Sequence, residues 1–189
     1  MVCAFIDESI RRKPEGLYVV AAAVMAREAL DDARSAVRSV LKPRQARFHW
    51  RHESAQQRWR MVKTMQALGA PVRAYAVRAQ GNKLDRARAL CLEGLLWELE
   101  ELGIGELLFE SRQEHNDAKD RRLIIHTQKT GVLTAPAQLS YRFERPSMEP
   151  LLWVADAAAG IVTTALSGED TSYSDELGQL ITLVQVGWR

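Results

Sequence analysis

Short apolar runs of strand length alternate with longer stretches of helical spacing along the 189 residues of the chain. Val2 to Ile6 is rich in strand formers and too short for a helix, so it predicts a buried strand whose carboxyl end carries Asp7, Glu8 and Ser9. Lys13-Pro14-Glu15-Gly16 is a turn signal. Leu17 to Met25, apolar throughout, predicts a second strand, antiparallel to the first and covered on both sides. Leu30, Ala33, Val37 and Leu41 repeat at helical spacing in a helix over 26–41 that Lys42-Pro43 ends. A second helix spans 54–68 before Gly69, and 71–78 alternates as a strand. The strongest helical stretch is 83–102, with Leu84, Ala87, Leu90, Cys91, Leu95 and Leu102 in its stripe and Gly103 as its cap.

Ile104 to Phe109 predicts a short buried strand that also ends in an acid, Glu110. A polar helix over 116–129 follows, with Leu123 to Ile125 as its apolar part, and 137–144 alternates as a half-exposed strand. Pro146 to Pro150 is a loop, and 151–166 is a helix apolar nearly all the way round except for Asp156. Residues 175–186 make a weaker amphipathic segment. Strands interleaved with helices, in a chain of this length, predict one α/β domain over residues 1–189. Its central mixed sheet has antiparallel opening strands and helices on both faces.

Composition changes this picture little. Hydrophobic residues make up 47% and charged residues 26%, an ordinary globular balance, and the net charge of +2 points to no particular partner. Cys3 and Cys91 sit in apolar patterns and fit core positions of a reduced, cytoplasmic protein. No basic-then-apolar leader opens the chain, and no apolar run approaches the roughly 20 residues a membrane span needs. The charge distribution is more telling. Between Arg34 and Lys63 there are nine Lys or Arg against one acid, Glu53, which suits either an anionic partner or a solvated face.

The candidate chemistry lies in acids with unlikely settings. Asp7 and Glu110 each follow a buried strand, and Asp156 interrupts an apolar helix. Such carboxylates must be neutral, paired or metal-bound. Three of them converging from separate elements would suit Mg2+ or Mn2+, which take hard oxygen ligands. Gly160, one turn beyond Asp156, would leave room there for a metal ion or a phosphate. His49 and His52 invite a zinc site but lack a third ligand at a recognisable spacing, so a helix entrance with exposed histidines is expected. His49, with its near-neutral pKa, suits contact with a substrate phosphate or proton transfer. Trp97 and Trp153 fall on apolar helix faces and are expected in the core. Trp50 and Trp59, among arginines, are the better candidates for base stacking; Trp188 is the fifth tryptophan. Phosphate-cradling glycine loops and serine-nucleophile elbows are absent from the sequence.

Phe5-Ile6-Asp7-Glu8-Ser9, Phe109-Glu110-Ser111-Arg112 and Trp153-Val154-Ala155-Asp156-Ala157-Ala158-Ala159-Gly160, in that order and with Phe48-His49 between, resemble the domain of unknown function 3800 family. The resemblance implies a ribonuclease H-like fold and a divalent-metal-dependent nuclease hydrolysing phosphodiester bonds of a nucleic acid. It implies Asp7, Glu110 and Asp156 as catalytic metal ligands, with Glu8, Asp117 and Asp120 as supports. Arg112, His49 and Arg51 are the candidates for contact with substrate phosphates. The sequence departs from the family in having Ile10 after Asp-Glu-Ser, where glycine is common, and Glu110 where aspartate is common. The alternative is a non-catalytic nucleic-acid-binding or protein-interaction module of a mobile-element or defence system. A receiver-like phosphotransfer domain also gathers acids at strand ends, but two helices between the second and third strands argue against it.

Overall fold

The computed structural model describes residues 2–12, 16–78, 83–134 and 139–187. The expected turn at 13–16, the first two residues of the expected strand at 137–144, and Trp188 fall wholly or mostly outside those residues. Among the described residues the elements run β1 (Val2–Arg11), β2 (Leu17–Ala26), α1 (Leu30–Arg38), α2 (Ala55–Leu68), β3 (Val72–Arg78), α3 (Leu84–Glu101), β4 (Glu106–Glu110), α4 (Glu114–Lys129), β5 (Ser140–Glu144), α5 (Leu152–Leu166), α6 (Ser172–Leu177) and β6 (Ile181–Gln185). The strands form one mixed sheet in the order β5-β4-β1-β2-β3-β6. β1, β2 and β3 are antiparallel neighbours, while β4 joins β1, β5 joins β4 and β6 joins β3 in parallel.

Side chains of a strand alternate between the two faces of its sheet, and each face here has its own core. Cys3, Phe5, Val19, Ala21, Ala74 and Leu108 face α1, α2, α5 and α6. Ala4, Ile6, Tyr18, Val20, Ala22, Tyr75, Leu107 and Phe109 face α3 and α4. Helices therefore cover both faces, and β2 is buried on both sides as its unbroken apolar run predicts. α5 is apolar all round because it lies across β1 and β2 with α2 and α6 on its outer side. Ala157, Ala158 and Ala159, fully buried, let it approach the sheet closely.

Several elements differ from expectation. β1 does not stop at Ile6; it continues to Arg11, paired with β2 down to Arg11↔Leu17. Asp7 and Glu8 therefore lie inside a strand, just where the parallel pairing with β4 ends at Ile6↔Phe109. The segment 175–186 contains a whole strand, β6, whose weak alternation reflects an edge position with mostly part-exposed side chains. In α3 the buried stripe is Ala87, Cys91, Leu92, Leu95, Leu96 and Leu99, while Leu102 and Trp97 are about half exposed. Trp97 is thus no core residue: α3 presents it away from the sheet. Gly69 and Gly103 end their helices in the left-handed region, as placed from sequence. No helix among the described residues is long and apolar enough to cross a membrane.

Candidate active site

Register decides which acids meet. Asp7 shares the face of Phe5, and Glu110 the face of Leu108, so both project from adjacent parallel strands toward α5. Asp156, on α5, completes the group. The three acids line one cleft of about 190 Å³ together with Arg47, His49 and Arg112. Asp7 lies in the cleft wall, partly open yet closely surrounded by protein. Its carboxyl is held well above the ordinary carboxylate range, first by burial and then by the charges of Glu110 and Asp156. Glu110 is raised too, mainly by burial, with Asp156 adding. A hydrogen bond between the pair raises Asp7 and lowers Glu110, so of the two Asp7 holds its proton to the higher pH. Asp7 Oδ1 also accepts the Glu8 backbone N–H at 2.7 Å.

Asp156 is held differently. Its Oδ2 accepts the backbone N–H of Trp50 at 2.7 Å, and His49 Nδ1 lies 3.1 Å from the same oxygen. This hydrogen bond raises the His49 pKa above that of a free imidazole, against the opposing effect of burial. His49 and His52 meet edge to face with centroids 4.4 Å apart at a 3₁₀ turn over Trp50–His52. Gly160 does not leave the space expected beside Asp156. That space holds the Trp50 indole, and a Cβ on Gly160 would stand 2.2 Å from Trp50 Cδ1. Trp50 is 4% exposed and packs against Tyr173, and Trp59 packs against the same ring. Neither indole is the open stacking platform that its arginine neighbours suggested.

Glu8, Asp117 and Asp120 belong to another cluster, which begins on the opposite face. Glu8 is next to Asp7 in sequence but points toward α3, where it pairs with Arg88 and accepts from Tyr18 Oη. Arg88 grips Asp120 with two bonds of 2.7 Å. Arg112 reaches Glu8 at 2.9 Å and Asp120 at 2.9 Å, while Asp117 accepts the Ser111 hydroxyl at 2.7 Å and the Arg112 backbone N–H at 3.0 Å. Two arginines thus neutralise Glu8 and Asp120, and Arg112 is fixed at the cleft rather than free. Arg88 is the residue that sequence reasoning missed. Its signal is a lone arginine among the apolar positions of the strongest helix.

The basic stretch 34–63 is dispersed. Arg34 pairs with Glu149, Lys42 with Glu53 and Lys63 with Glu176, Arg60 bonds Gln57 and the Ser39 carbonyl, and Arg38 and Arg44 are exposed; Arg47 stands at the acid cleft and Arg51 and Arg58 beside it. The donor set Asp7, Glu110 and Asp156 is all hard oxygen, which fits magnesium or manganese chemically. Among the described residues, however, no three His, Cys, Asp or Glu side chains are already arranged to hold a metal ion. The acids are instead accommodated by the hydrogen bond between Asp7 and Glu110 and by His49 beside Asp156.

No family model matches the sequence, and no curated protein does. Solved structures do match. The ribonuclease H2 from Pyrococcus horikoshii OT3 is similar at a TM-score of 0.55 and 13% identity, over 96% of this chain and 81% of that one. The PCNA:RNase HII complex from Archaeoglobus fulgidus contributes a chain similar at a TM-score of 0.51 and 16% identity, over 90% of this chain and 79% of that one.

The fold is ribonuclease H-like. The ribonuclease H-like sheet carries Asp7 at its centre, flanked by the strand that supplies Glu110.

Proposed function

We propose that this chain is a divalent-metal-dependent nuclease that hydrolyses phosphodiester bonds of a nucleic acid. The observation that carries this reading is the meeting of Asp7, Glu110 and Asp156 from β1, β4 and α5 in one cleft, where burial and mutual repulsion hold Asp7 and Glu110 above the ordinary carboxylate range. Those three residues would hold Mg2+ or Mn2+. The bound ion would supply Lewis-acid polarisation of the phosphodiester and a more acidic water. The chain itself does the positioning. Trp50 N–H and His49 orient Asp156, the Glu8–Arg88–Asp120 cluster fixes Arg112 at the cleft wall, and Arg47 brings a cation to its rim. Labelled RNA and DNA incubated with wild-type and Asp7→Asn protein, with and without manganese, tests this. Metal-dependent cleavage should fall in the variant by about 100-fold, the upper end of what losing even a residue that only supports a metal ligand costs. Cleavage that survives the substitution, or that ignores the metal, sinks the mechanism.

A second reading, a nucleic-acid-binding or protein-interaction module without catalysis, is favoured by one observation. Asp156 already has two partners, and no ligating trio is preformed among the described residues. It predicts salt-sensitive binding and unchanged substrate at every metal concentration.

A further inference from the structure

Next to the acid cleft lies a second, larger groove of about 740 Å³, which shares Glu8, His49 and Asp156 with it. It runs past the distal end of β1 and along the C-terminal half of α5, and its wall carries Arg11, Arg12, Arg51 and Arg58. The four come from two places far apart in sequence: the tail of β1, which runs beyond the acids, and the turn leading into α2 with that helix's first turn. Arg11 is spent on Glu169 and Ser167. Arg51 spends one of an arginine's five N–H donors on the Ile10 carbonyl at 2.6 Å. Arg58 bonds the Trp50 carbonyl at 2.9 Å and the Arg51 carbonyl at 3.3 Å and lies 5.1 Å over the Trp50 ring, which fixes its guanidinium in place. Arg12 is exposed and has no partner among the described residues. A row of cations, with Arg51 held by one bond and Arg58 by two of its five N–H donors so that both keep donors free, suits a chain of phosphates better than one small anion.

We propose that this groove holds the phosphodiester backbone of a nucleic-acid strand through Arg12, Arg51 and Arg58, independently of base sequence, on one side of the acid cleft. This deepens the nuclease reading and rests on it. The proposed sequence independence rests on two features of the lining: its cations stand in a row, as phosphate contacts do, and its one aromatic besides His49, Trp50, is buried under Arg58 and cannot stack on a base. The wall therefore offers charge and hydroxyls but no stacking platform.

The probe is a fluorescein-labelled oligonucleotide, RNA or DNA, single-stranded or duplex, followed by anisotropy with the full chain in EDTA across a range of salt. Replacing Arg12 and Arg51 with alanine together should weaken binding about tenfold or more and reduce the slope of log K against log salt by about two for a duplex. Replacing both with lysine instead (Arg12→Lys with Arg51→Lys) should retain the slope, and Arg38→Ala, on the exposed face of α1, should leave it unchanged. Affinities across a set of unrelated sequences should agree within about threefold, since each specific base contact would add roughly 1–3 kcal/mol of discrimination. An unchanged slope in the double alanine variant, an equal loss from Arg38→Ala, or strong sequence preference overturns the proposal. Arg12→Ala alone, at an exposed residue, keeps the slope measurable if the double variant melts early. A slope that depends on Arg12 without metal-dependent cleavage retains the groove and removes the nuclease; cleavage that persists with an indifferent groove does the reverse.

Discussion

At Asp7, burial and two neighbouring acids keep a proton on the carboxyl that water would remove. Between the ordinary carboxylate range and that raised value, the unfolded chain has lost the proton and the folded chain has not. Stability therefore falls as pH rises across this window and levels off above it. His49 acts in the same direction: its raised pKa contributes stability that is complete below about pH 6.5 and lost as pH rises through the folded value. Metal-free protein should accordingly melt highest on the mildly acidic side. Asp7→Asn should flatten that profile and stabilise the metal-free protein at neutral pH by on the order of 1 kcal/mol. Thermal melts in EDTA from pH 4 to 8 check this; a steeper profile in the variant contradicts it. Gly160 is the second telling residue. A Cβ there must displace the Trp50 indole, and the Trp50 backbone N–H holds Asp156. Gly160→Ala should cost about 1–3 kcal/mol despite alanine's better helix propensity, with a matching fall in metal-dependent cleavage.

Among the elements, α4 is docked unusually. Its buried positions are Asp117, Asp120, Ile124 and Thr127, a largely polar stripe at helical spacing. Ion pairs with Arg88 and Arg112, rather than apolar area, attach much of its first two turns. Removing one partner of a buried pair leaves an uncompensated charge. Arg88→Met should therefore cost about 3–5 kcal/mol in urea unfolding. It should also lower amide-exchange protection most in 114–129 and at Glu8. Adding Asp120→Leu should recover part of the loss, as a double-mutant cycle would read. Equal loss of protection in β2 would mean that the cluster supports the whole sheet rather than α4. α5 is the contrasting case. Its all-round apolar surface is matched by the sheet beneath it and α2 and α6 above, so Asp156 is carried on an element with little freedom to shift.

For the molecule as a whole, the two faces of the sheet divide the chemistry. Consecutive side chains of β1 send Asp7 to one cluster and Glu8 to the other, so a single strand couples the charged cleft to a neutralised network behind it. A cation that binds only the folded chain stabilises it by mass action, by about 2.7 kcal/mol at one hundred times its Kd. Manganese should therefore raise the melting temperature of the wild type and leave that of Asp7→Asn unmoved. An equal rise in both would place the metal elsewhere. The buried thiols take no part: burial pushes Cys3 up to about 11 and Cys91 up to about 12, so both stay protonated at neutral pH.

Local pattern by itself determined most of the elements. The unbroken apolar run 17–25, the stripe of α3 and the glycine ends at Gly69 and Gly103 are set by contacts near in sequence, and they are legible there. So was the oddity of Asp7, Glu110 and Asp156, because an acid in an apolar stretch needs no partner in view to be conspicuous. What only the tertiary structure decided depends on register and on pairing at long range. Strand parity sent Glu8 away from Asp7, and Arg88 and Arg112 claimed Asp120 from distant elements. Trp50 filled the space that Gly160 seemed to leave open. β6 was hidden because an edge strand takes its ladder hydrogen bonds from one neighbour, here more than a hundred residues away, and buries too little to show a pattern. The arginine groove joins two segments some forty residues apart, and no spacing rule along the chain could have brought them together.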